Sequence, residues 1–261
     1  MNDTAVKIEQ VVEHYDRLAD WSELKEYYSG SDYLNFGYFE EDTKSQKEAC
    51  ENMMDQLLSC IPDKSGTILD VACGKGATTA YLLRYYPPEA VTGINISDRQ
   101  LEIARQNAPG VKFLNMSAMD MSFPEESFDN MICVEAIFHF VTRTEFLKSV
   151  LRMLKPGGSI VFSDMLMTWD GEERRPRRTT ENFIPDLDSY RSALESIGFS
   201  TVTVEDITEQ SWRRHYRHAT GYFHEQFLAG KITRDELSQR LHETYERVPD
   251  LKYYLKVCCQ K

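Results

Sequence analysis

"TILDVACGKGATTAYLL", residues Thr67–Leu83, places an apolar run, an acid, two glycines and a helical pattern in direct succession. The run Thr67–Ala72 predicts a buried strand, and Thr78–Tyr86 predicts a helix. Glycine lets a backbone pass close to another group, because it has no side chain and adopts left-handed conformations freely. The stretch therefore predicts a strand–turn–helix unit, in which the turn either binds a ligand or only makes a tight connection.

Two nucleotide-binding motifs fit this turn poorly. The phosphate loop G-x-x-x-x-G-K-[ST] is absent, since Lys75 precedes Gly76 and no Ser or Thr follows a Gly-Lys pair there. The dinucleotide fingerprint G-x-G-x-x-G lacks its third glycine, where Thr79 stands, although an alanine is tolerated there. Asp70 at the end of the strand would repel phosphates and suits a cation or an amino group. The turn thus favours a positively charged ligand over a phosphate.

Strand and helix patterns alternate through the rest of the chain. Apolar runs such as "TILDV", "AVTGI" and "SIVFSDML" are continuous, as expected when helices cover both faces of a parallel sheet. The predicted strands are Thr67–Ala72, Ala90–Asn95, Val111–Asn115, Asn130–Val134, Ser159–Ser163, Ser200–Asp206 and Leu251–Cys259. This pattern predicts an α/β fold with a doubly wound, mostly parallel seven-stranded sheet.

Helical patterns flank the predicted sheet on both sides in the sequence. A stripe at helical spacing and a second one over Lys44–Ile61 predict an N-terminal helical cap, residues 1–61, before a core of residues 62–261. The first stripe consists of Val11, Tyr15, Leu18 and Trp21. After a polar loop at 168–186, helices at Ser211–Ala229 and Thr233–Glu246 predict a helical lid insertion at about 208–248. Such a lid would cover the edge where open α/β sheets bind ligands.

Composition restricts the compartment and the partners. With 261 residues, 41% of them hydrophobic, the chain is long enough for one large α/β domain. A net charge of -12 argues against non-specific binding to nucleic acid. The sequence contains no run of about 18 apolar residues, so no membrane span is predicted. The six cysteines form no C-x-x-C pair, which predicts reduced thiols in a cytoplasmic protein and no zinc site.

The string Ile68–Gly76 resembles the first motif of the class I S-adenosylmethionine-dependent methyltransferases. That motif usually reads D-x-G-C-G-x-G, and Ala72 here replaces its first glycine. Three further segments resemble the family in the right order: "NISDRQ", "NMSAMDMSFPEESFD" and "FLKSVLRMLKPGGSIVFSD". The resemblance covers about Asn35 to Asp206 and is strongest to the branch that methylates small molecules, including natural products. It implies a Rossmann-like methyltransferase fold and S-adenosyl-L-methionine as cofactor.

The resemblance also implies which residues hold the cofactor. Asn95 stands where the family usually has an acid on the ribose, and Ser117 replaces the acid beside the adenine amino group. The ring of Tyr38 or Phe36 would face the sulfonium, because aromatic faces attract cations. The complete implied set is Asn35, Tyr38, Asp70, Ala72, Gly74, Asn95, Ile96, Gln100, Ser117, Ala118, Met119 and Val134.

Methyl transfer from a sulfonium is a direct displacement, so the enzyme mainly aligns the reactants and excludes water. A hydroxyl acceptor also needs a base to take its proton. His139 follows the predicted fourth strand and is the candidate general base for O-methylation, although a packed histidine is the alternative. The resembling branch has an aspartate where Asp164 stands, at the end of the fifth core strand. Asp164 would orient the imidazole or hold the acceptor hydroxyl, or else cap a turn.

Several alternatives stay open on the sequence alone. An RNA or protein methyltransferase would use the same cofactor, but a basic module is missing and "CVEAIF" stands in place of an "NPPY"-type motif. A non-methylating enzyme or a binding protein could retain the cofactor, and a nicotinamide dehydrogenase is a further option. N- or C-methylation and a homodimer are also compatible with the sequence.

Two arginine clusters and a group of histidines complete the candidates. The clusters predict a solvated face or, alternatively, a site for an anionic group of the substrate. The histidines lack an acid or cysteine partner, so no metal site is predicted. The arginines are Arg174, Arg175, Arg177, Arg178, Arg213, Arg214 and Arg217, and the histidines are His215, His218 and His224.

Overall fold

A computed structural model describes residues 12–13, 16–17, 22–174 and 182–261 of the chain. Its centre is a seven-stranded sheet in the order β3-β2-β1-β4-β5-β7-β6. The strands β1 to β7 are, in chain order, Ile68–Val71, Val91–Asn95, Lys112–Asn115, Phe128–Val134, Leu154–Met167, Thr201–Asp206 and Leu251–Gln260. β1 to β5 pair in parallel, and β7 runs antiparallel between β5 and β6. The predicted doubly wound, mostly parallel seven-stranded α/β fold is therefore confirmed.

Helices cover both faces of the sheet, which explains the continuous apolar runs of the strands. One face packs against the helices Arg143–Met153 and Leu187–Ile197, and the other against Gln46–Leu58 and Ala77–Leu82. The remaining helices are Ser22–Tyr27, Asp98–Asn107, Trp169–Arg174, Arg214–Leu228 and Arg234–Arg247. Short 3₁₀ turns lie at Pro88–Ala90, Ile137–His139 and Val248–Asp250, and one π-helical turn at Glu209–Arg213.

Polar caps fix where several helices begin. The side chains of Ser97, Thr142 and Asp186 each accept a hydrogen bond from a backbone N–H in the first turn of the helix that follows. Such a cap typically stabilises a helix by about 1 kcal/mol. Gly198 ends one of these helices with a φ of 114°, a value that favours glycine. The caps at Ser97 and Thr142 begin the helices that follow β2 and β4, where the cavity described below opens.

The structure differs from the sequence-based expectations at two places. β5 spans Leu154–Met167 and pairs with β7 from Ser159 to its end, whereas the apolar pattern predicted a strand over Ser159–Ser163. A helix, Trp169–Arg174, occupies the start of the predicted polar loop. The predicted stripe Val11, Tyr15, Leu18 and Trp21 lies outside the described residues.

The expectation of reduced cysteines holds for four residues and is wrong for two. Cys50, Cys73, Cys133 and Cys259 are buried free thiols, but Cys60 and Cys258 form a disulfide. The pair joins the residues after helix Gln46–Leu58 to β7, because this helix packs across the strand and brings the two Cα atoms to 6.1 Å. None of the helices that the structure describes is long and apolar enough to cross a bilayer.

Candidate active site

A cavity of about 210 Å³ opens at the carboxyl ends of β1, β2 and β4. This is the edge of an open α/β sheet at which ligands bind. Its wall contains every predicted cofactor residue except Tyr38, together with the predicted base His139. The members of the predicted set in the wall are Asn35, Asp70, Ala72, Gly74, Asn95, Ile96, Gln100, Ser117, Ala118, Met119 and Val134. That these residues contact the cofactor stays a prediction.

The glycine turn after β1 runs against the helix Asp98–Asn107. A Cβ on Gly76 would lie 2.8 Å from Ala104, and Gly76 has a φ of +77°, so only glycine fits there. Ala72 has a φ of +58° although it is not a glycine. Gly76 therefore packs the turn against this helix, while Gly74 lines the cavity.

Asp70 lies at the base of this turn and is almost completely buried. Burial raises the pKa of its carboxyl to about 6, although hydrogen bonds from Thr79 and Thr78 oppose this rise. Both threonine hydroxyls donate to Oδ2, at 2.6 Å from Thr79 and 2.8 Å from Thr78. A cationic group beside Asp70 would favour its ionised form. The carboxyl is thus suited to an amino group, and S-adenosylmethionine carries one.

Asn95 and Gln100 form an amide pair in the cavity wall. Asn95 Nδ2 donates to Gln100 Oε1 at 2.9 Å, and Asn95 Oδ1 accepts from the backbone N–H of Ile96. Gln100 Nε2 is buried and has no hydrogen-bond partner within the described part of the chain. Buried polar atoms are normally satisfied, so this donor fits an acceptor that a ligand supplies. A ribose hydroxyl has the required oxygen, so the predicted contact of Gln100 with the ribose is compatible with this geometry.

A second buried polar atom without a hydrogen-bond partner in the described ranges belongs to Asn35, which lines the cavity. Asn35 lies in the segment 31–39, which we call the strap. Asn35 is 5% exposed, and its Oδ1 has no partner among the described residues. Its backbone carbonyl accepts from Tyr28 and Gln46, which fixes the strap over the cavity. The acceptor Asn35 Oδ1 and the donor Gln100 Nε2 match a ligand with amino and hydroxyl groups. The residues present therefore fit S-adenosylmethionine.

Two predicted aromatic contacts lie elsewhere. Tyr38 does not line the cavity, and its ring lies near Glu205 and Arg214. Phe36 packs edge-on against Trp212 and His215 in the core between strap and lid. The predicted aromatic wall for the sulfonium is therefore wrong in placement, because the strap turns these two rings towards the lid.

Ser117, Ala118 and Met119 form the wall beyond β3. The hydroxyl of Ser117 accepts from the backbone N–H of Met119 at 3.1 Å, and the preceding Met116 donates its backbone N–H to Asn95. The Ser117 hydroxyl keeps its own hydrogen and a second lone pair, so both this hydroxyl and the loop backbone offer polar groups beside the predicted adenine position.

His139 lies on the 3₁₀ turn after β4, and its ring contacts Phe138 at 4.1 Å between centroids. It is partly buried and lines the cavity beside Phe140 and Val141. His139 thus lines the same space as the predicted cofactor residues. This position suits a base that acts on an acceptor bound next to the cofactor.

Asp164 is not brought to the cavity. It is completely buried, and its carboxylate accepts from Arg143 through Nε at 2.6 Å and through Nη2 at 3.1 Å. Tyr190 donates its hydroxyl to the same carboxylate at 2.7 Å. Since these donors and the backbone N–H of Met165 occupy both oxygens, Asp164 does not fit the predicted contact with His139 or with an acceptor hydroxyl.

The predicted lid, residues 208–248, covers the strap and does not line the cavity. His215 donates its Nδ1–H to Gln46 Oε1 at 2.9 Å, and burial lowers the pKa of His215 to about 3. Arg213 and Arg217 both form ion pairs with Glu209, so these two arginines of the second cluster have a partner within the lid. Of the first cluster, Arg175, Arg177 and Arg178 lie outside the described residues. Within the described residues, no group of His, Cys, Asp and Glu comes together as metal ligands.

Sequence reasoning missed two features of the wall. Glu135 lies directly after β4 and lines the cavity, and an acid that ends an apolar strand was the available signal. Asp32 of the strap pairs with Lys75 of the glycine turn at 3.0 Å, for which the sequence holds no local signal.

Comparison with known proteins agrees with this geometry. Residues 69–162 match the family described as "Methyltransferase domain". "O-methyltransferase cnsE" of Penicillium expansum is 32% identical over 214 residues, which cover 76% of this chain and 75% of that protein. "27-O-demethylrifamycin SV methyltransferase" of Amycolatopsis mediterranei is 26% identical over 239 residues, or 85% and 88% of the two chains. The crystal structure of the [4+2]-cyclase SpnF superposes with a TM-score of 0.74 at 22% identity, covering 97% of this chain and 96% of that chain.

Proposed function

Because the chain belongs to the S-adenosylmethionine-dependent methyltransferases of the small-molecule branch, we propose that it methylates a hydroxyl of its acceptor with His139 as the general base. The observation that carries this proposal is the position of His139 in the wall of the cavity that holds the predicted cofactor residues. The O-methyltransferases among its relatives support a hydroxyl acceptor.

In this reaction S-adenosylmethionine supplies the methyl group on a good leaving group. The residues of the chain bind, orient and deprotonate. Asp70, Asn35 and Gln100 offer polar atoms for the cofactor, the strap excludes water, and His139 takes the proton of the acceptor hydroxyl at an imidazole nitrogen. Asp164 acts indirectly, since its pair with Arg143 fixes the end of β5 against the helix that follows His139.

The test combines turnover with binding. We expect His139→Ala to lower kcat about 10²–10⁴-fold, because the loss of a general base has that effect on a weakly acidic hydroxyl. A panel of phenolic and sugar acceptors supplies the assay, and calorimetry with S-adenosylhomocysteine supplies the control for the cofactor site. Turnover within about twofold of wild type, with cofactor affinity unchanged, would remove the base role from His139.

The same experiment addresses a second candidate. This candidate is an enzyme that keeps the cofactor without transferring its methyl group, and the shared fold of a protein described as a [4+2]-cyclase is the reason to test for it. Release of S-adenosylhomocysteine in step with acceptor consumption distinguishes the two, since only methyl transfer produces it. Calorimetry with NAD on the same protein separates both from a dehydrogenase.

A further inference from the structure

A carboxyl group that the proposed mechanism does not use lies in the cavity wall. Glu135 follows β4 with a φ of +54°, and its backbone N–H donates to Ser163 on the neighbouring strand β5 at 2.9 Å. Its carboxylate accepts, at Oε2, from the backbone N–H of Phe36 at 2.8 Å and from the hydroxyl of Tyr254 at 2.5 Å. The strap and β7 thus hold the carboxylate at the cavity, and β5 holds the backbone of the same residue.

Among the described residues, the titratable groups that interact with Glu135 include three phenols and a thiol. Tyr254 approaches from β7, Tyr28 and Cys50 from the N-terminal helices, and Tyr216 from the lid, and burial raises the pKa of each of these phenols and of the thiol. All four are therefore neutral at neutral pH. Within the described part of the chain, no lysine or arginine forms an ion pair with Glu135. Burial raises the pKa of the Glu135 carboxyl to about 8, against the opposing hydrogen bonds of Tyr254 and Phe36.

A carboxylate that is partly buried and has no cationic partner is costly, and a ligand cation in the same cavity would reduce that cost. The other acids of the wall differ from Glu135 in this respect. Asp32 already pairs with Lys75, and two threonine hydroxyls stabilise Asp70. S-adenosylmethionine carries a sulfonium charge, which its product S-adenosylhomocysteine lacks, whereas both carry the same amino-acid tail.

We propose that Glu135 provides the negative charge that favours the sulfonium donor over its demethylated product in this cavity. The inference rests on the proposed function, because it takes the cavity to be the site of the methyl donor. It assigns to Glu135 a role in donor recognition and product release that is separate from the base His139. The strap contributes, since Phe36 holds the carboxylate in place through its backbone.

The proposal predicts a pH dependence with a defined sign. As pH rises through about 8, Glu135 loses its proton, so the affinity for the donor should rise relative to that for the product. Asp70, whose carboxyl titrates near 6, and the amino group of the ligand act on both ligands alike. The ratio of the two dissociation constants, product over donor, therefore isolates the effect of the sulfonium charge.

The experiment measures that ratio by titration calorimetry between about pH 6.5 and pH 8.5, which spans the titration of Glu135. The probes are S-adenosylmethionine and S-adenosylhomocysteine, and the proteins are wild type, Glu135→Gln, Tyr254→Phe and Asp70→Asn. Glutamine keeps acceptors for Phe36 and Tyr254, so it removes charge with little change of shape. Asp70→Asn is the matched control, because it removes a carboxyl that should serve both ligands.

In Glu135→Gln we expect the ratio to fall about tenfold at high pH, with affinity for the product within about twofold of wild type. The pH dependence of the ratio should vanish in this variant. In Tyr254→Phe the midpoint should move to higher pH, because the ionised carboxylate loses a donor. Asp70→Asn should weaken both ligands and leave the ratio unchanged.

Three outcomes would count against the inference. Equal weakening of both ligands in Glu135→Gln would make the residue purely structural, and an unchanged ratio would show that the carboxyl does not sense the sulfonium. A folded wild type that binds neither ligand would refute the proposed function itself, and the inference with it. Thermal melting of each variant identifies any change that is due to unfolding.

Discussion

At the scale of single residues, two residues in the wall of the cavity have a strained backbone. Ala72 and Glu135 are not glycines, yet they have φ values of +58° and +54°, and they follow the neighbouring strands β1 and β4. Left-handed backbone costs such residues about 1–2 kcal/mol each. Strain of this kind persists where the surrounding structure holds it, often at functional sites. Its presence at both strand ends supports this edge of the sheet as the active site.

The buried pair of Asp164 and Arg143 gives a prediction at this scale. We expect Asp164→Asn to lower the free energy of unfolding by about 3–5 kcal/mol, because it leaves the guanidinium of Arg143 buried without its counter-charge. Urea denaturation measures this, and turnover per folded molecule should stay close to that of wild type. A variant of wild-type stability that had lost turnover would restore the catalytic role predicted from the sequence.

The sequence identified which residue types lie near the site but not where every side chain points. Asn95 and Gln100 were predicted because they match ribose-binding positions of the family that the sequence resembles, and both line the cavity. Asp164 and Tyr38 were misplaced, since their orientation depends on partners remote in sequence, such as Tyr190 for Asp164. Side-chain direction at the end of a strand is set by such tertiary contacts, which a local motif does not contain.

At the scale of elements, the strap connects three parts of the site. Asp32 binds Lys75 in the glycine turn, Asn35 is held by Gln46, and Phe36 binds Glu135 after β4. The aromatic sequence of this segment suggested closure over the cofactor by rings. In the structure it closes through backbone and charged contacts, while the rings of Phe36 and Phe39 pack against the lid and Tyr33 lines the cavity.

The ion pair between strap and turn gives the second prediction. Lys75→Met should weaken binding of S-adenosylhomocysteine about tenfold, because it leaves Asp32 without its buried partner and loosens the strap. Lys25→Met is the matched control, since Lys25 faces the same carboxylate at 3.6 Å but is largely exposed, so we expect a change within about twofold. Calorimetry compares the two variants, and equal effects would contradict the role of Lys75.

At the scale of the whole molecule, the topology was predictable and the covalent link was not. Local patterns identify each strand and helix, and the rules for parallel connections then restrict how the strands are ordered. Cys60 and Cys258 are 198 residues apart in the sequence, so no local spacing of cysteines predicts their disulfide. It forms because one N-terminal helix packs across β7, which is a property of the assembled fold.

This disulfide gives the third prediction. Replacing both Cys60 and Cys258 by serine should lower the free energy of unfolding by about 2–4 kcal/mol, because a cross-link over a long loop restricts the unfolded chain. Urea denaturation with and without a phosphine reductant measures the effect. The reductant should destabilise wild type to the level of the double variant and leave the variant unchanged, and a wild type insensitive to reduction would contradict the link.

The antiparallel insertion of β7 between β5 and β6 has a consequence for biosynthesis. In this sheet β6 pairs with β7 alone, and the lid separates the two strands along the chain. A ribosome makes β6 well before its partner, so β6 must wait with its backbone groups unpaired until Leu251–Gln260 has emerged. The nascent chain therefore passes through a stage in which this strand is exposed to chaperones and to other growing chains.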